Sequence, residues 1–198
     1  VATTKAYSAQ ALLIALFAIK LSGNNELLRE FDGIEEIIEN VLKLDVSEAS
    51  EYVAKHNDGF FIGRLLDYAL CMEGALKLKE ISYINCVAFA AGELKHGTIS
   101  LISPGTPVIS ICTDNSIIEK TISNIKEVKA RDAYVVFVTN EDIDGDFYDK
   151  KIVIPKVSPL ASTLISIIPL QLLSYEVAKL RGCEIDKPRN LAKSVTVE

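Results

Sequence analysis

The stretch EGALKLKEISYINCVAFAAGELKHG, residues 73–97, combines two kinds of secondary-structure pattern. Its first part has helical spacing and belongs to a helix that we predict from Asp67 to Ser82. A short apolar run follows and predicts a strand from Val87 to Ala91, and Glu93 to His96 predict one helical turn. A helix, a strand and a helical turn in immediate succession indicate an α/β fold.

Four more short apolar runs predict strands elsewhere in the chain. They cover Gly59–Gly63, Thr106–Cys112, Tyr134–Val138 and Lys151–Ile154. Strands that are apolar throughout and alternate with helices are typical of a parallel sheet covered on both faces. We therefore predict an α/β three-layer α/β/α sandwich with a five-stranded, mainly parallel sheet.

The remaining segments predict helices before, within and after the sheet. They cover Thr3–Ser22, Glu26–Leu42, Ser47–Lys55 and Asn115–Ala130, and a long last helix starts at Ser158-Pro159 and ends near Leu180. Serine before proline is a favoured helix start. We expect Pro169 to bend this last helix, because proline cannot continue the hydrogen-bond ladder, and Gly182 to end it.

Composition excludes several classes of function. Hydrophobic residues make up 49% of the 198 residues, which is enough for a large buried core, and the net charge is -6. An acidic chain without a basic stripe is an improbable partner for nucleic acid. The most apolar run, Ala9 to Leu21, is shorter than a membrane span and carries Lys20. The chain opens without methionine, so we expect it to begin inside a longer protein.

The cysteines and histidines indicate a reduced protein without a metal site. The four cysteines are widely spaced, as Cys71, Cys86, Cys112 and Cys183, and there are two histidines. Scattered cysteines are typical of buried thiols in a cytoplasmic protein. We expect no metal and no cofactor.

Residues 73–97 also bring together groups that transfer protons. Glu73, Lys77 and Glu80 are spaced so that they share one face of a helix. Glu80 could act as a general base, or it could be a solvated carboxylate paired with a neighbouring lysine. Lys77 could orient Glu80 or bind an anionic oxygen, or it could form a surface pair with Glu73. His96, in a polar turn before Gly97, could transfer protons near neutral pH, or it could simply face the end of a helix dipole.

The two ends of the chain hold further candidates. Lys193 could form an imine with a ketose carbonyl if it is desolvated in a site, although a terminus is often disordered. Thr3 and Thr4 could present hydroxyl and N–H groups to an anion, or they could cap the first helix. From the residues alone, we predict an α/β domain with a possible acid–base cluster and no named reaction.

Several long strings resemble one enzyme family. ALKLKEISY, AGELKHG and PRNLAKSVTVE, together with the opening VATTKAYSAQ and FFIGR, resemble the isomerase part of the glutamine–fructose-6-phosphate aminotransferases. The resemblance covers essentially the whole chain. It implies a flavodoxin-like sugar isomerase (SIS) domain, the second of two. It also implies a division into a helical segment (1–45) that ends the preceding domain, the second SIS domain (46–182) and a tail (183–198).

The resemblance also implies an activity and a set of site residues. Such enzymes make glucosamine 6-phosphate from fructose 6-phosphate and glutamine, the first step of hexosamine and UDP-GlcNAc synthesis. Glu80 takes the position of the base and Lys77 that of the supporting lysine. His96 takes that of a ring-opening histidine which reaches the neighbouring subunit of a homodimer. Lys193, next to Ala192, takes the position of the imine-forming lysine, and Thr3 that of a residue that contacts the sugar.

The chain departs from the family pattern in ways that bear on activity. It lacks the glutamine-hydrolysing domain and the serine- and threonine-rich loop of the first SIS domain that holds the sugar phosphate. Leu65 follows Gly63-Arg64 where the family usually has glycine, and Asn85 and Thr98 replace the usual histidine and proline. We therefore predict little isomerase activity for this chain alone. A sugar-phosphate deglycase or deaminase, and a SIS-type sugar-phosphate sensor without catalysis, remain alternatives.

Overall fold

The computed structural model describes residues 2–191 and contains a sheet of five parallel strands. These are β1 (Asp58–Gly63), β2 (Asn85–Ala90), β3 (Pro107–Cys112), β4 (Tyr134–Thr139) and β5 (Lys150–Val153), in the order β2-β1-β3-β4-β5. Every neighbouring pair is parallel. The predicted five-stranded parallel sheet is confirmed, and its order reverses between β1 and β3.

Residues 2–191 contain seven α-helices. They are α1 (Lys5–Ser22), α2 (Ile34–Val41), α3 (Ser47–Val53), α4 (Leu66–Ser82), α5 (Ile118–Lys129), α6 (Pro159–Ile165) and α7 (Ile168–Leu180). Short 3₁₀ segments cover Asn25–Phe31, Ala91–His96, Thr98–Leu101 and Asn115–Ile117.

Two apolar clusters, one on each face of the sheet, make the fold three-layered. Because successive side chains of a strand point to opposite faces, Phe61 belongs to one cluster and Phe60 to the other. The first cluster joins the sheet to α4 and α7, and the second joins it to α5. The helices α4 and α7 approach closely at Gly74, where an added Cβ would lie 2.7 Å from a methyl carbon of Leu170. Alanine there would require the Leu170 side chain or the Phe61 ring to shift.

Two predicted helices are each divided in the structure. The segment Glu26–Leu42 consists of a 3₁₀ segment and α2, separated at Gly33, whose φ of 73° is left-handed. The last helix is broken between α6 and α7, ahead of Pro169, which lies in the first turn of α7. A proline clashes with the carbonyl four residues before it, and that residue is Ile165, the last of α6. The predicted start is confirmed, since Ser158 Oγ accepts a hydrogen bond from Ala161 N at 3.2 Å.

Two helical stretches in the described residues are long and apolar enough to cross a membrane by length and composition alone. They are Lys5–Ser22 and Pro159–Leu180. The second is mostly buried, as expected for core helices, whereas the first contains one buried residue, Ile19. The first is longer than the apolar run seen in the sequence because the helix includes Lys5 to Ser8. Neither is clear evidence of a membrane span.

Candidate functional site

The predicted acid–base cluster lies on the second half of α4. Lys77 Nζ is 2.6 Å from Glu80 Oε2 and 3.5 Å from Glu73 Oε1. Both distances follow from helix geometry, because residues three and four apart share a face. The structure therefore brings these three side chains into contact as their spacing predicts.

The cluster is buried, which argues against the interpretation of a solvated surface pair. The Lys77 side chain is 5% exposed, and those of Glu73 and Glu80 are 16% and 22% exposed. Burial raises the pKa of Glu73, and the charge of Lys77 and its hydrogen bond oppose that rise. Lys77 Nζ donates a hydrogen bond to Glu80 Oε2 in this shielded setting, so Lys77 can hold Glu80 in one position.

A cavity of about 250 Å³ lies beside Lys77. Its walls come from the start of the chain, from α4, from α7 and from the segment after α7, and include Ala2, Thr4, Ile81, Gln171, Ser174, Tyr175, Ile185 and Asp186. Lys77 is the member of the acid–base cluster that lines it. The cavity can therefore hold a small polar ligand within reach of the charged cluster.

The N-terminal segment lies next to this cavity. Thr3 is exposed, and its two neighbours Ala2 and Thr4 line the walls. Thr4 precedes α1 but makes no side-chain cap hydrogen bond, so the capping interpretation lacks support. Further along α1, the pKa of Tyr7 is raised by burial and by the charge of Glu73, which ties α1 to the charged cluster.

The segment after α7 is anchored at the end of α4. Arg189 N donates a hydrogen bond to the Tyr83 hydroxyl at 2.8 Å, and the Arg189 guanidinium lies 4.1 Å from the centre of the Tyr83 ring. Tyr83 directly follows α4. The candidates Ala192 and Lys193 lie outside the described residues, but the chain leading to them is held beside the cluster.

His96 lies apart from this cluster. It ends the 3₁₀ segment after β2 and is exposed. It does not line the cavity beside Lys77, and its side chain makes no hydrogen bond within residues 2–191. The structure therefore brings Lys77 and Glu80 together and does not bring His96 to them.

Gln171, which was not among the candidate residues predicted from the sequence, also lines the cavity beside Lys77. Its Nε2 is shielded from solvent and has no hydrogen-bond partner among the described residues. Gln171 and Ser174 are three residues apart in an otherwise apolar part of α7. Two polar residues on one face of an apolar helix were the signal that could have indicated a polar cavity.

Comparisons with known proteins place the chain in a family. Residues 52–181 match the SIS domain. A glutamine–fructose-6-phosphate aminotransferase (isomerizing) of Geobacillus kaustophilus is 46% identical over the whole chain, and the chain spans 34% of that relative's length. An aminotransferase of the same description from Bacillus subtilis is also 46% identical, with the same coverage.

Solved structures agree with this assignment. The C-terminal domain of glucosamine-fructose-6-phosphate aminotransferase from Francisella tularensis superimposes with a TM-score of 0.87 at 33% identity, over 94% of this chain and 56% of that one. A glucosamine-6-phosphate deaminase from Thermotoga maritima gives a TM-score of 0.67 at 25% identity, over 95% of this chain and 56% of that one. The chain belongs to the SIS domain family.

Proposed function

We propose that the chain is the isomerase part of an enzyme that makes glucosamine 6-phosphate from fructose 6-phosphate and glutamine. The observation that carries this proposal is the contact between Lys77 and Glu80, buried beside a polar cavity. The identity of 46% to aminotransferases of that description supports it. The chain spans about a third of those relatives, so the activity of the whole protein depends on further domains.

The proposed chemistry assigns one role to each residue. Lys193 forms an imine with the ketose carbonyl and releases water, and ammonia from glutamine then displaces the lysine amine. Glu80 removes the proton from C1 and returns it to C2, which converts the fructose imine into the aldose glucosamine 6-phosphate. Lys77 fixes the Glu80 carboxylate through their 2.6 Å contact. Thr3 and Ala192 contact the sugar.

The proposed partners cover surfaces that are open in this chain. His96 opens the sugar ring in the active site of the second subunit of a homodimer, and its exposure supports that role. The first SIS domain and the glutaminase domain belong to the same protein. The outer face of α1 exposes Leu13, Ile14, Phe17 and Leu21, each more than 60% accessible, and we assign it to contact with the preceding domain. An apolar patch of this kind marks an interface.

The domain division and location are part of the same proposal. Residues 1–45 end the preceding SIS domain, 46–182 form the second and 183–198 form the tail. Val41 of α2 is buried in the same apolar cluster as Val46 and Phe61, so the boundary at residue 45 crosses a continuous core. We place the protein in the cytoplasm, where the free thiols of its four cysteines would stay reduced.

Replacing Glu80 with glutamine in the full-length protein tests the role of the base. The change keeps the shape of the side chain and removes its basicity, so isomerisation should be lost while glutamine hydrolysis continues. A Glu73→Gln variant is the matched control, because it removes the other carboxylate near Lys77 and should keep most isomerase turnover. Equal loss of both reactions in Glu80→Gln would contradict the assignment.

A second experiment concerns the chain by itself. In this proposal the loop that holds the sugar phosphate belongs to the first SIS domain, so residues 1–198 alone do not supply that part of the binding energy. We expect little conversion of fructose 6-phosphate to glucose 6-phosphate by the purified 198-residue chain. Robust turnover would refute this expectation.

The likeness to a deaminase supports one alternative function. The Thermotoga maritima protein has the same fold over most of this chain. A deaminase would release ammonia from an amino sugar and would need no glutamine-hydrolysing domain. The two functions differ in their source of nitrogen. Glucosamine 6-phosphate formation that requires glutamine in the full-length protein would favour the aminotransferase, and glutamine-independent release of ammonia would favour the deaminase.

A further inference from the structure

A second cavity lies at the opposite end of α4 from Lys77 and Glu80. It has a volume of about 380 Å³ and opens where the chain leaves β1 and β3, at Arg64 and Thr113. The strand order reverses between these two strands, and open parallel sheets bind ligands at such a point. Asp67 in this cavity and Lys77 are ten residues apart on one helix, which corresponds to about 15 Å.

The polar groups of this cavity converge on Thr113. Asp67 is 2% exposed, and its two carboxylate oxygens accept hydrogen bonds from Thr113 N at 2.8 Å and Thr113 Oγ1 at 2.7 Å. Ser162 Oγ donates to Thr113 Oγ1 at 3.2 Å, and Asn140 Nδ2 donates to the Thr113 carbonyl at 2.8 Å. These bonds join α4 and α6 to the segments that directly follow β3 and β4, so the cavity wall is a preformed network.

The network has unused acceptors. Asn140 Oδ1 is shielded from solvent and accepts no hydrogen bond from the described residues. The Asp67 carboxylate accepts hydrogen bonds from Thr113 and is also approached by the backbone N–H of Asp114, and a carboxylate has about four lone-pair sites. Burial raises the pKa of Asp67, and the hydrogen bonds from Thr113 oppose that rise. A ligand that fits this wall must therefore donate hydrogen bonds.

The cavity is not built for a phosphate. Asp114 Oδ1 accepts a hydrogen bond from Ser116 N at 2.9 Å, at the start of the 3₁₀ segment that leads into α5. An N–H group at a helix start is the usual receptor for phosphate, and here a carboxylate of the chain already occupies it. A phosphate would also meet the charges of Asp67 and Asp114.

The two cations in the wall are held by other partners. Arg64 Nε and Nη2 donate to Asn124 Oδ1 at 3.1 and 2.8 Å, which directs the guanidinium toward α5. Lys156 Nζ pairs with Glu141. The three carboxylates in and beside this wall outnumber its two cations, so the cavity disfavours an anionic ligand.

Apolar side chains form another part of the wall. Leu66, Leu70, Val157 and Pro159 line the cavity, and such a surface suits the C–H face of a sugar ring. We propose that this cavity binds a free, unphosphorylated sugar, whose hydroxyl groups donate to Asn140 Oδ1 and Asp67. The site is separate from the isomerase site at Lys77 and does not depend on the function proposed for it.

Binding of glucose to the full-length protein tests the proposal. Saturation-transfer NMR and a titration with D-glucose should detect binding. Asn140→Ala should weaken it roughly tenfold, because the variant loses one hydrogen bond to the ligand and the bond from Asn140 Nδ2 to the Thr113 carbonyl. Leu66→Trp should abolish it by filling the cavity. Leu66 is 61% exposed, so this variant should fold even if Asn140→Ala does not.

The controls separate this site from the isomerase site. Glu80→Gln should leave glucose binding at the second cavity unchanged, and Leu66→Trp should leave fructose 6-phosphate turnover unchanged. Absence of glucose binding to the unaltered protein would overturn the proposal, and so would binding that Leu66→Trp does not affect. Inorganic phosphate that binds the unaltered protein and not Leu66→Trp would also overturn it, because the cavity would then be an anion site.

Discussion

Replacing Leu65 with glycine should stabilise the chain. Leu65 connects β1 to α4 with φ 53° and ψ −124°, and the turn around it is closed by a 3.0 Å hydrogen bond from Asp67 N to the Arg64 carbonyl. These are the angles of the first central residue of a type II′ turn, where glycine is favoured because a Cβ is strained. The Leu65 side chain is 68% exposed, so little packing compensates for the strain.

The size of the effect follows from three terms. Relief of the strained backbone contributes about 1–3 kcal/mol. The greater freedom of glycine in the unfolded chain costs about 0.4–1 kcal/mol, and loss of the buried third of the side chain costs roughly 0.5 kcal/mol. We expect a net gain of about 1 kcal/mol, which for a chain of this size raises Tm by about 2–4 °C.

Thermal and urea unfolding of the purified chain, followed by circular dichroism, measure this gain. Leu65→Ala is the matched control, because it removes the same leucine atoms beyond Cβ and keeps the strained Cβ. We expect Leu65→Ala to melt at or slightly below the parent temperature and Leu65→Gly above it. If the glycine variant melts no higher than the alanine variant, the backbone at this position is not strained and the reasoning fails.

Three further predictions concern the charged cluster, the tail and a buried thiol. Lys77→Met removes the cation that opposes the raised pKa of Glu73, so the variant should lose stability progressively as pH rises above the ordinary glutamate range. Urea unfolding from pH 4 to 8 measures this loss. An equal loss of unfolding free energy in the parent over the same pH range would contradict the prediction. Tyr83→Phe removes the hydroxyl that accepts a hydrogen bond from Arg189 N and should lower isomerase turnover of the full-length protein several-fold at unchanged glutamine hydrolysis. Tyr83→Leu also removes the ring and should lower isomerase turnover further. Equal turnover in the parent and both variants would refute the role of the anchor. Burial raises the pKa of Cys86 to about 12, so iodoacetamide at pH 8 should modify this thiol only after unfolding in urea. Peptide mass spectrometry detects the modification. Labelling of Cys86 in the folded chain would contradict the prediction.

Much of the sheet could be predicted because its strands are apolar throughout. The interior strands β1, β3 and β4 are almost wholly buried, and their composition shows this directly. The edge strand β2 begins at Asn85, two residues earlier than predicted, since Asn85 joins the sheet opposite Asp58. Backbone pairing at an edge leaves no apolar signal in the sequence.

The candidate site could be predicted only where it depends on one helix. The spacing of Glu73, Lys77 and Glu80 determines that they meet, but their burial depends on α7 and on the two ends of the chain. The polar cavity wall at Gln171 was missed for the same reason. The backbone angles of Leu65 could not be predicted from hydrophobic periodicity. The sequence did show a leucine at a position where the resembling family usually has glycine.

The anchor between Arg189 and Tyr83 sets an upper limit on the distance between α4 and the lysine proposed to form the imine. Lys193 follows Arg189 by four residues, so an extended chain carries its Cα at most about 14 Å from the anchor. A tethered amine within that radius has an effective concentration in the millimolar range or above, far higher than that of the protein. By holding Arg189, the Tyr83 ring at the end of α4 restricts the volume that the proposed reacting amine can occupy. Shortening or lengthening residues 190–192 should therefore change the rate of the proposed imine formation, even though no reacting group is altered.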